Sequence, residues 1–123
     1  MKKMALAVYL MLISLVAVAH HSTVVNFTDE IISVEGVIEK VRYQNPHASV
    51  LIKTMDVHGN ETYWLIETGA RTTLERRGVT LERLQVGSRI QATGQKGRRQ
   101  YTMYLQEITF EDGTKFRAEP EPN

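Results

Sequence analysis

The sequence predicts an all-β domain with one short helix, folded as a small five-stranded Greek-key barrel of the OB type. Three observations lead there. From Ile31 onward, β-branched and aromatic residues alternate with polar ones. Turn signals at Asn45-Pro46, His58-Gly59-Asn60, Lys96-Gly97 and Asp112-Gly113 cut this stretch into strand-length pieces. One capping-box pattern, Thr72-Thr73-Leu74-Glu75, falls between the third and fourth pieces. A long strand, two further strands, a helix and two more strands is the order of the OB-fold, whose closure leaves few free edges. An open antiparallel sheet with the helix across one face is the alternative that the same order permits.

The first strand is expected at residues 32–43. Its apolar positions are Ile32, Val34 and Ile38, then Val37, Val41 and Tyr43, so its inward face changes phase near Gly36. A glycine inside a strand marks a bend or bulge. The second and third strands are expected at 48–55 and 61–67. A helix near 73–77 follows, with Gly78 able to take the left-handed stop. The fourth strand is expected at 89–94 and the fifth at 101–110, the latter shifting phase between Leu105 and Ile108. The barrel domain therefore spans 31–117. Residues 118–123 contain two prolines and no apolar pattern, and read as a disordered tail.

The first 19 residues have a different character. Lys2 and Lys3 precede a run that is apolar apart from Ser14, and Ala17-Val18-Ala19 has the small residues of a signal-peptidase site. The run from Met4 to Ala19 falls short of the ~20 residues that span a bilayer. Residues 1–19 thus read as a cleaved signal peptide and 20–30 as an extended N-terminal segment of a periplasmic or secreted protein, with no stable membrane span after cleavage. The chain has no cysteine, so it carries no disulfide and no thiol for a lipid anchor. Cleavage removes two of the 15 basic side chains and none of the 14 acidic ones, leaving a formal charge of −1. That balance offers no electrostatic attraction to nucleic acid, which is not expected as a partner.

Cleavage after Ala19 exposes His20 with a free α-amine, and the amine and ring Nδ1 of one residue can chelate one ion. Cleavage after Ala17 instead leaves Val18-Ala19-His20, where amine, backbone and imidazole nitrogens can wrap a square-planar ion. Both registers favour copper(II), for which planar nitrogen coordination is suited. His21, or His47 after the Asn45-Pro46 turn, is the candidate further ligand. His58, at a hairpin tip, reads as solvated, and Met55 and Met103 read as core filling before they read as thioether ligands.

Catalysis is not expected. Ser22 and His21 are neighbours on an extended segment and point to opposite sides, and no paired carboxylates, phosphate loop or zinc-protease spacing occurs. The alternative to a metal module is a barrel that binds a small ligand or an envelope protein without metal. Trp64, on the third strand, and Arg98, Arg99 and Tyr101, between the last two strands, are its candidate contacts.

The segments Ala19-His20-His21-Ser22, Phe27, Gly36-Val37-Ile38, Asn45-Pro46-His47, Trp64 with Glu67, Leu74 with Arg77-Gly78, and Leu84 with Gly87 resemble a family of short exported bacterial proteins known as a domain of unknown function. Val79 stands where that family's pattern has tryptophan. The resemblance implies export and the barrel, and places His20, His21 and His47 on motif positions. It supplies no activity.

Overall fold

The computed structural model describes residues 25–118. Val25 and Asn26 are helical, and after them the described residues form six strands and one helix in the order β1 (Phe27–Arg42), β2 (Ser49–Met55), β3 (Glu61–Glu67), α1 (Arg71–Arg76), β4 (Arg89–Gly97), β5 (Thr102–Phe110) and β6 (Lys115–Arg117). Within the sheet the order is β3-β2-β1-β4-β5-β6, and β3 also pairs with β5. That last contact is parallel, joins Leu65–Glu67 to Thr102–Tyr104, and closes the five principal strands into a ring. The open-sheet alternative is thereby excluded.

β1 serves both halves of the ring, pairing with β4 from Phe27 to Val37 and with β2 from Val37 to Arg42. The register slips between Ile38 and Lys40, so Glu39 is the extra residue and the inward face changes phase there, three residues beyond the glycine. Gly36 has a separate task. A Cβ at that position would lie 2.5 Å from the Lys53 carbonyl oxygen, so only glycine allows β1 to pass so near β2. The phase shift expected in the fifth strand is also present, since Thr93 faces Glu107 while Gly94 faces Leu105, leaving Gln106 as the bulge.

The interior is filled by alternate residues of every principal strand, with Ile38, Ile52, Ile66, Ile90, Met103 and Leu105 almost wholly buried. Leu74 of α1, with Val79 and Leu84 after it, belongs to the same cluster. Tyr43 ties this segment to β1 by donating its hydroxyl to the Val79 carbonyl at 2.7 Å. Burial first, then the fields of Glu75 and Glu82, pushes the Tyr43 phenol above its ordinary value, which keeps it the donor.

Several boundaries differ from the sequence expectation. β1 starts five residues earlier, because the 27–31 stretch finds β4 residues Gln95–Gly97 opposite it. β4 is correspondingly longer. The helix begins at Arg71 with Ala70 as N-cap and no side-chain cap of its own, so the Thr72–Glu75 capping box does not form. Its acceptors come from the β1–β2 loop instead. Arg71 N–H donates to Gln44 O at 3.1 Å and Thr72 N–H to Asn45 Oδ1 at 3.3 Å. Glu75 pairs with Arg71 at 3.6 Å, and Gly78 ends the turn with a φ of 85°. The sixth strand was not expected. Phe116 packs at 5.9 Å on Phe110, and the N–H of Ala118, which is buried, donates to Gln106 O at 2.8 Å. The remaining tail, 119–123, lies outside the described residues, as do the signal segment, His20 and His21.

Candidate functional site

Two clefts gather the chemistry-bearing residues, one at each of the loops that flank the barrel wall. The first, about 510 Å³, opens at the β4–β5 loop. Its walls are Ile32–Val34 of β1, Trp64 of β3 and the stretch Lys96–Thr102. The hairpin is drawn tight at its base, where a Cβ on Gly97 would fall 1.7 Å from Thr102 Oγ1. Thr102 Oγ1 in turn donates to Arg99 O at 2.7 Å. Arg98 N–H donates to Asn26 O at 2.9 Å, and Leu65 N–H to Tyr101 O at the same distance. The loop is therefore fastened to both the N-terminal segment and β3.

Tyr101 has a φ of 57°, a left-handed conformation that a residue other than glycine adopts at a cost of order 1–3 kcal/mol. Its ring stands edge-on to Trp64, with centroids 5.6 Å apart and planes inclined at 71°. Lys96 is held by Glu30 at 3.3 Å. Arg98 and Arg99 are exposed, and among the described residues neither is in an ion pair. The four residues proposed from sequence for a non-metal ligand, Trp64, Arg98, Arg99 and Tyr101, thus share one cleft.

The second cleft, about 360 Å³, lies at the β1–β2 loop. A cross-strand row forms its floor: Arg42 faces Ser49, Ser49 faces Glu67 and Glu67 faces Tyr104. Phe27 packs against Tyr104 with centroids 5.3 Å apart and planes inclined at 59°, so the N-terminal segment enters the barrel along this wall. His47 lines the same cleft with Asn26, Phe27 and Glu67. The residue after it is locked, since Ala48 N–H donates to Gly69 O and Thr68 N–H to Ala48 O, both at 3.0 Å. The Glu67 carboxylate has no hydrogen bond or ion pair among the described residues.

His47 and the four aromatic and cationic residues therefore occupy different clefts. Among the described residues no three His, Asp or Glu side chains gather as a metal-holding group. Met103 is core, Met55 is exposed at the end of β2, and His58 sits in a turn where its N–H donates to Asp56 Oδ1 at 2.8 Å. Sequence reasoning gave Glu67 no role. The odd spacing of Trp64-x-x-Glu67 on a strand sends the two side chains to opposite faces, but it names no partner for the carboxylate. Trp64 goes to the mouth and Glu67 to the row beside His47.

Among solved structures, the N-terminal domain of PriB from Thermoanaerobacter tencongensis, described as dimeric, is similar to this chain. It superposes with a TM-score of 0.51 at 15% identity, over 68% of this chain and 97% of the PriB domain. At that identity the likeness is one of fold. It nevertheless overturns the exclusion of nucleic acid, because barrels of this kind offer the second and third strands and the loops after strands one and four to oligonucleotides or oligosaccharides. A formal charge summed over the chain says nothing about charge at those loops. No helix among the described residues is long and apolar enough to cross a membrane. No curated protein matches the sequence. The family of unknown function DUF6152 matches residues 8–105, and the chain belongs to that family.

Proposed function

We propose that the protein is a small exported metal-binding module that holds copper(II) through the His20 amine and imidazole, with His21 and His47 supplying further nitrogen and the protein acting as a binder without catalysis. One observation carries the proposal: His47 lines the same cleft as Asn26 and Phe27. Phe27 is buried against Tyr104 and fixes where the N-terminal segment leaves the barrel. His20 lies six positions before Asn26. At ~3.3–3.6 Å per residue six steps reach at most about 20 Å, a tether that supports the reach of His20 and His21 to His47. The carboxylate of Glu67, unpaired among the described residues, adds an oxygen donor of suitable charge in the same cleft.

Each ligand nitrogen must shed its proton before it binds, so affinity falls as pH drops through the imidazole range. Copper(II) titration of the processed chain tests the assignment against three variants. One N-terminal residue added before His20 blocks the first-residue chelate, His47→Ala removes a nitrogen, and Glu67→Gln removes the charge. All three are expected to bind at least tenfold more weakly than the parent. Equal binding by the parent, the extended chain and His47→Ala, or parent binding no tighter than that of an unrelated protein, contradicts the proposal.

A further inference from the structure

The first cleft is chemically unlike the second and lies apart from every histidine among the described residues. We infer that it binds single-stranded nucleic acid, stacking a base against Trp64 and Tyr101 while Arg98 and Arg99 take the flanking phosphates. The inference does not depend on metal binding.

Four features support it. The cleft volume, about 510 Å³, lies in the ~300–1,000 Å³ range of sites that engulf a small ligand. Its interior offers aromatic surface, because Trp64 is half-buried at the mouth and Tyr101, 41% exposed, stands edge-on beside it. Every base presents a π-face to such a surface, whatever the sequence. Arg98 and Arg99 are the cations of the loop left without a carboxylate among the described residues, whereas Lys96 is engaged by Glu30. Guanidinium is planar and forked, and meets a phosphate with two parallel hydrogen bonds. Finally, the loop is pre-set by the Arg98–Asn26, Leu65–Tyr101 and Thr102–Arg99 hydrogen bonds, so little ordering remains to oppose binding.

An acidic glycan would find the same charge but a poorer wall. Sugar hydroxyls need paired donors and acceptors beside the aromatic ring. Here Gln100 is the one side-chain amide on the lining, while Ile32 and Val34 are apolar and the Ser33 hydroxyl between them is already bonded to Thr93. The flat π-faces of bases suit that wall better, with Gln100 left to meet a base edge. The left-handed Tyr101 backbone fits the same use, since it ends the hairpin loop with the ring held at the mouth of the cleft.

The chain's one tryptophan is Trp64, so its emission reports directly on the cleft. The processed protein would be titrated with an oligothymidylate, with an abasic phosphodiester strand of equal length, and with a heparin fragment, each at several salt concentrations. Oligothymidylate is expected to quench Trp64 emission and to bind at least tenfold more tightly than the abasic strand. An Arg98→Ala/Arg99→Ala double variant should bind more weakly, with the slope of log affinity against log salt smaller by about 1.4, or ~0.7 per lost phosphate contact on a single strand. Both arginines are exposed, so the double variant should fold; its circular dichroism spectrum verifies this. Trp64→Leu should remove the preference for bases over the abasic strand. Unchanged emission, equal affinity for the two strands, tighter binding of heparin, or a double variant that binds like the parent would each overturn the inference.

Discussion

At the scale of single residues, two backbone positions separate stability from function. Gly36→Ala would drive a Cβ to 2.5 Å from the Lys53 carbonyl oxygen, with Thr54 Cγ2 at 3.0 Å, and the near obstacle is backbone that cannot swing aside. Loss of about 1–3 kcal/mol is expected, read from the denaturant midpoint. Tyr101→Asn should do the reverse. Asparagine tolerates the left-handed conformation better than tyrosine, so the midpoint should hold or rise while the aromatic edge beside Trp64 disappears. A lowered midpoint would show that the Tyr101 ring supports the fold more than it strains it. His47 was legible from its place after Asn45-Pro46, because a turn puts the next side chain at a rim. Glu67 was not. A carboxylate on an alternating strand reads as solvated, and its importance depends on Ser49 and Tyr104 across the ladder, neighbours that no local pattern names.

Elements show where local signals lose to tertiary ones. Thr72 and Glu75 have the spacing of a capping box, yet the helix opens at Arg71 because Gln44 and Asn45 of the β1–β2 loop bring acceptors to its free N–H groups. Asn45→Ala should therefore cost about 1 kcal/mol, although Asn45 lies far from the helix in sequence. Thr72→Ala should cost only a few tenths, since the Thr72 hydroxyl caps nothing. Comparing the two thermal midpoints decides which residue is the cap. β6 escaped notice because three residues, two of them charged, give too short an alternation to distinguish from a turn. At the β2–β3 hairpin, Asp56 accepts backbone N–H bonds from His58 and Asn60 at 2.8 and 2.9 Å. The bonds from Asn60 are the main cause of a carboxyl held below its ordinary value of 3.8. A depressed folded value means that its stabilising effect is complete above about pH 4 and is lost as pH falls through the lower folded value. The protection of the His58 and Asn60 amides, measured relative to the intrinsic exchange rate at each pH, should fall only below that range. A loss of protection between pH 5 and 7 would point to another group.

For the whole molecule, strand order and the two phase changes sufficed to anticipate a closed barrel, since both bulges let a strand bend from one part of the ring to the next. The closing contact itself was not legible. It rests on three parallel residue pairs between β3 and β5, formed by segments 37 residues apart, and no alternation within either strand announces a partner. Charge misled for a related reason. A near-neutral total conceals a loop where Arg98 and Arg99 stand together beside two aromatic rings, and only the folded chain brings Trp64 to them. Closure also places the β1–β2 loop and the start of β1 on one wall, and the proposed copper site rests on that juxtaposition of His47 with Asn26 and Phe27. Electron paramagnetic resonance of copper(II) bound to the processed chain addresses that juxtaposition most directly. Nitrogen hyperfine structure should show coordination by the amine and imidazoles, with one imidazole nitrogen lost in His47→Ala and none lost in His58→Ala. A spectrum unchanged by His47→Ala would mean that the barrel contributes nothing to the site and would contradict the account.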